Sequence, residues 1–105
     1  MTTYKVKLTK DAQQDMRALH DYIADVLQAP ETADHQRSRL ADAILKLDIL
    51  PERHPLVSFE PERTQGIRRM TVDNYSVFYR IAGDEVIVID VFYSASDCVR
   101  RFHSS

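Results

Sequence analysis

Residues 67–81 read Ile-Arg-Arg-Met-Thr-Val-Asp-Asn-Tyr-Ser-Val-Phe-Tyr-Arg-Ile, and this stretch decides the fold. Two runs rich in β-branched and aromatic residues flank Asp73-Asn74, a two-residue turn in which Asn tolerates positive φ. Ile67–Val72 and Tyr75–Ile81 are therefore expected to be the strands of one hairpin. Successive side chains of a strand point to opposite faces, so Arg68 and Arg69 diverge. The same alternation sets Tyr75 and Tyr79 beside Val77 and Ile81, as core, and puts Arg80 with Ser76 and Phe78 on the other face. Arginine is concentrated here: positions 63, 68, 69 and 80 against a single acid, Asp73, in a chain of net charge −2.

Downstream, Ala82–Glu85 makes a second turn, and the almost continuously apolar Val86–Tyr93 is expected to be a central strand covered on both faces. Upstream, Pro51–Gly66 holds three prolines and mixed charges and reads as an irregular loop. Tyr4–Leu8 alternates apolar residues with Lys5 and Lys7, as an edge strand protected by charge does. Thr9 is a fair N-cap for a helix over 10–28, with Ala12, Met16, Leu19, Ile23, Val26 and Leu27 as its apolar stripe. Pro30 suits the first turn of a second helix, with Ala33, Leu40, Ile44 and Leu47 as stripe, ended by Leu50-Pro51. So short a break makes the two an antiparallel helical hairpin. "ASDCVRRF" (95–102) reads as a short closing helix. The expected fold class is α+β, order β-α-α-β-β-β-(α): a small, mainly antiparallel sheet with both helices on one face and the other partly open. The direction of the first strand against Val86–Tyr93 stays open.

The 105 residues, 44% apolar and 29% charged, make one globular domain over 1–105. The lone Cys98 allows no intrachain disulfide and fits a reducing, cytoplasmic setting as a small semi-buried hydrophobe. No apolar run reaches the length of a membrane span, and the start has no apolar signal-peptide core. His20, His35, His54 and His103 have no zinc-like spacing, so neither metal nor cofactor is expected. The slight net negative charge excludes a global attraction to nucleic acid and leaves only the local arginine patch. Asp90, inside an apolar strand, calls for a partner.

These residues resemble the RelE/ParE superfamily of toxins from bacterial type II toxin–antitoxin modules. The likeness spans nearly the whole chain. "YKVKLTKDAQQDMRALHDYIAD" resembles the family's first strand and helix, and "PERHPL" its recurrent Pro-x-x-x-Pro. "GIRRMTVDNYSVFYRI" followed by "VIVIDVFYSASD" is the most specific part. The resemblance implies a cognate antitoxin and, as the first expectation, inhibition of translation by mRNA cleavage on the ribosome, with gyrase inhibition as the alternative. RelE-like members cut mRNA on the ribosome without a metal, the 2′-hydroxyl attacking the adjacent phosphate. ParE-like members inhibit DNA gyrase and are not nucleases in that sense. A degenerate toxin that only binds its antitoxin is a third, weaker reading.

Cutting RNA this way needs a base for the hydroxyl, an acid for the leaving oxygen and cations for the phosphate. The candidates for catalysis are Arg69, matching the family's basic position, then Arg68 and Tyr93. Arg63, Arg80, Arg100 and Arg101 are candidates for RNA or partner contact, guanidinium being the natural fork for phosphate and carboxylate. The alternative for Arg68 and Arg69 is an ion pair with Glu60 and Glu62. Ser94 and Ala95 stand where nuclease members often carry His-Tyr, Phe102 stands in place of a tyrosine, and no lysine follows Lys46.

Overall fold

The computed structural model describes residues 3–73 and 75–92. Strand β1 (Lys5–Leu8) leads into helix α1 (Lys10–Asp21), which continues as a π-helical turn over Tyr22–Val26. Helix α2 (Pro30–Leu45) runs on into a 3₁₀ turn (Lys46–Asp48), and a second 3₁₀ turn (Pro51–Arg53) opens the long loop. Strands β2 (Arg68–Val72), β3 (Tyr75–Ala82) and β4 (Glu85–Phe92) follow. The sheet order is β1-β4-β3-β2, with the last three antiparallel and β1 parallel to β4. The α+β order expected from the sequence is thereby met, and the direction of the first strand is settled as parallel. The expected closing helix lies outside the described residues.

Thr9 starts α1 as expected. Its hydroxyl oxygen accepts from the Ala12 amide at 3.2 Å and its hydroxyl donates to Ile89 O at 3.2 Å, so one side chain caps the helix and holds it to β4. Thr9→Ala is expected to cost about 1–2 kcal/mol, read as a lower urea midpoint with unchanged slope.

Both helices cover one sheet face. Ala12, Ile23, Ala33, Leu40, Ile44 and Leu47 meet Met70, Val77, Val86, Val88 and Val91 in the main core. The α1 stripe departs from its expected course at the end. Ile23 is buried, but Val26 and Leu27 are exposed. The Leu27 amide donates to Tyr22 O, five residues back, and this wider turn rotates the last apolar residues away from the core. Gln28, at φ 53°, then stops the helix in the left-handed conformation, with Ala29 N donating to Ile23 O at 3.1 Å.

Strand β4 carries a bulge. Tyr79 pairs with Val88 and Phe78 with Asp90, leaving Ile89 as the extra residue. Strict alternation after Val86 and Val88 would aim Asp90 at the helices. The extra residue shifts the phase, so Val91 takes the core position and Asp90 falls on the opposite face with Phe78. Beyond the end of β1, Asp15 accepts the Val91 amide at 3.1 Å, giving a backbone donor the partner that strand pairing no longer supplies.

Candidate binding face of the sheet

The sheet face turned away from the helices carries Arg69 and Thr71 from β2, Ser76, Phe78 and Arg80 from β3, Ile87, Asp90 and Phe92 from β4, and Lys5 and Lys7 from β1. Half of it is covered. Val57 and Phe59 of the long loop, with Ile67, pack on Phe78, Phe92 and Ile89. The Phe78 and Phe92 rings lie 5.6 Å apart. The loop is stitched to the edge of β2 by Val57 N to Ile67 O (3.0 Å) and Arg69 N to Pro55 O (3.0 Å). Gly66, at φ +83°, turns the chain back into β2 in a conformation that L side chains rarely adopt. Arg63 donates to Val57 O at 3.3 Å across the same loop.

The uncovered half is cationic. In the register, Arg80 lies opposite Ile87 and Ile87 opposite Lys7, so a guanidinium and an ammonium flank one aliphatic side chain. Lys7 is ion-paired with Glu85, which holds its proton above the usual lysine range. Arg69, half-buried, faces the same side beside Phe78. Ser76 is wholly buried, and its hydroxyl has no hydrogen-bond partner among the described residues.

Arg68 goes the other way. Its guanidinium donates to His54 O at 2.7 Å and Glu52 O at 3.1 Å, holding the start of the loop against the helix-side core. It does not pair with Glu60, whose carboxylate instead accepts from the Thr64 hydroxyl and amide. Next to Arg68, the buried Tyr79 donates its hydroxyl to Pro51 O at 2.6 Å, and burial pushes its pKa up to about 12. His54 stands edge-on to Tyr79 at 6.3 Å, with Nε2 enclosed and without a hydrogen-bond partner. Burial, helped by the Arg53 charge, lowers its pKa and keeps the ring neutral at pH 7. Tyr75 is core as well, its hydroxyl bound to Gln36 of α2.

The structure thus brings Arg69 and Arg80 to one face and separates Arg68 from them. Tyr93, Arg100 and Arg101 lie outside the described residues. Two contributions were not legible in the sequence as site features. Lys5 and Lys7 read there only as edge protection, and they join Arg80 because β1 runs parallel beside β4. Asp73 read only as a turn residue. It accepts both ends of the Arg39 guanidinium, each at 2.9 Å, and so ties the β2–β3 turn to α2. Among the described residues no cluster of His, Cys, Asp and Glu is fit to hold a metal, and no helix is long and apolar enough to cross a membrane.

The sequence model of one family, described as the ParE toxin of the type II toxin-antitoxin system parDE, matches residues 6–97. The chain belongs to the ParE toxin family. It is accordingly a toxin of the RelE/ParE superfamily. Solved structures share the ParE-family fold at low identity. A chain of the chromosomal ParDE system from P. aeruginosa superposes with TM-score 0.73 at 22% identity, covering 88% of this chain and 97% of that one. A chain of the RelBE2 toxin–antitoxin complex from Mycobacterium tuberculosis gives 0.62 at 21%, covering 90% and 95%. A conserved hypothetical protein from Helicobacter pylori gives 0.51 at 19%, covering 89% and 96%. No curated protein matches the ParE-family sequence described here.

Proposed function

We propose that this toxin is held inactive by a cognate antitoxin and arrests growth by binding DNA gyrase, without cutting RNA. The observation that carries this reading is the ParE family match over residues 6–97. The chemistry of the open face agrees with it. Arg69, Arg80 and Lys7 provide cations for an acidic partner surface. For RNA cleavage the face would also need a proton acceptor and a proton donor. Among the described residues its carboxylates are Glu85, already paired with Lys7, and Asp90. Among the described residues it holds no histidine, and His54 is packed against Tyr79 behind the sheet. The second reading, ribosome-associated mRNA cleavage, draws on the superposition with the RelBE2 chain and on Arg69 and Arg80 as phosphate-binding cations. In it, Tyr93, Arg100 and Arg101 would complete the site.

Expression from a tightly repressed promoter separates the two. The gyrase reading expects a DNA-damage response with trapped gyrase–DNA adducts while methionine incorporation continues. Immediate loss of incorporation with cut transcripts supports the nuclease instead. Unimpaired growth in the presence of soluble, folded protein overturns both. A small reading frame encoding the cognate antitoxin is expected beside the toxin gene, and its co-expression should restore growth.

A further inference from the structure

Three adjoining hollows lie along α1 and α2, the middle one pinched to about 10 Å³. The apolar end, about 400 Å³, lies against Leu19, Tyr22, Leu27 and Ala29, and the polar end, about 440 Å³, against Arg17, Asp21 and Arg37. His20 borders the middle and the polar end. Both nitrogens of its ring face carboxylates: Nε2 lies 2.7 Å from Asp34 Oδ1 on α2, and Nδ1 lies 3.7 Å from Asp21 Oδ1 on α1. A neutral imidazole has one N–H and would turn a lone pair on one of these acids, whereas an imidazolium serves both. The opposing charge is Arg37 of α2, and Arg17 of α1 borders the same polar end.

We propose that His20 is a proton-operated latch across the helical hairpin. Protonated, it ties Asp34 of α2 to α1 and keeps the two helices together at that point. Deprotonated, it keeps one N–H for Asp34 but loses the charge that strengthens that bond, and the hairpin loosens at that point. The sign follows from the shift. Asp34, with a smaller contribution from Asp21, raises the His20 pKa above its ordinary 6.5, against opposing contributions from desolvation and Arg37. The latch is therefore fully engaged below about pH 6.5 and is lost as pH rises through the higher folded value.

The test uses the whole chain as wild type, His20→Gln and Asp34→Asn. NMR follows the His20 ring from about pH 5 to about pH 9, and hydrogen exchange follows the amides of α1 and α2. The wild type is expected to lose several-fold protection at the end of α1 and the start of α2 as pH rises through the His20 midpoint, after correction for the intrinsic exchange rate. His20→Gln is expected to show no such step, and Asp34→Asn to lower the midpoint. Equal pH profiles in wild type and His20→Gln overturn the latch, as does a midpoint that Asp34→Asn leaves in place. Asp34 is three-quarters exposed, so its variant tests the latch even if His20→Gln folds poorly.

Discussion

Arg69→Ala is expected to abolish growth arrest while leaving the fold intact, and Arg68→Ala to damage the fold first. The two residues are neighbours in sequence, of one type and on one strand, so the contrast isolates the face each one serves. Arg69 lies on the open side with Arg80 and Lys7. Its removal takes away a cation from the proposed partner surface and, the side chain being half-buried, should change stability by about 1 kcal/mol or less. Arg68 donates to two loop carbonyls. Its loss leaves both acceptors without their charged donor, at a cost of about 2 kcal/mol after allowance for partial exposure. For a domain of this size that lowers the melting temperature by roughly 8–16 °C. Thermal unfolding by circular dichroism and growth after induction read the two effects separately. Full toxicity of Arg69→Ala removes that residue from the site, and an unchanged melting temperature in Arg68→Ala removes the tether.

Phe78→Ala should be the most destabilising single change on the open face. The ring is wholly buried between Val57, Ile67 and Phe92, in a cluster separate from the helix-side core. Deleting it forfeits the transfer free energy of the ring and opens a cavity, together about 3–5 kcal/mol. Against a total stability of about 5–15 kcal/mol, that is about a fifth or more of what keeps a domain folded. The loop over 55–66 loses the surface on which it rests. Its amides and its susceptibility to protease are expected to respond before those of α1 and α2. A urea midpoint within experimental error of the wild type would mean that the loop does not depend on Phe78.

Alternation along β2 and β3 carried most of what the sequence could tell about the face. It set Arg68 against Arg69, and it assigned Tyr75 and Tyr79 to the core, where they are 2% and 0% exposed. The β4 bulge was beyond its reach, because an inserted residue changes the phase without any marker in a run of valines and isoleucines. That is also why Asp90 looked misplaced in an apolar strand. The π turn of α1 defeated the helical period in the same way, sending Val26 and Leu27 outward. The covering of the open face by Val57 and Phe59 had no periodic signal at all. They sit in a proline-rich loop, and only the fold shows that the Phe78–Phe92 surface lies beneath them. The direction of β1 depended on how a helical hairpin returns the chain to the sheet, a property of the crossover and not of the strand.

The parallel pairing of β1 with β4 also fixes an order of events during synthesis. Val6 rests beside Val86, about as far along the chain as two strands of this sheet can be. The helical hairpin and the β2–β3 hairpin can close from local contacts, but the sheet has no place for β1 until β4 has left the ribosome. Arg80 and Lys7 likewise share a surface only after that last closure. A nascent chain of this toxin therefore passes most of its time on the ribosome with the cationic face unassembled, and the finished surface exists only once nearly the whole described sequence is free to fold.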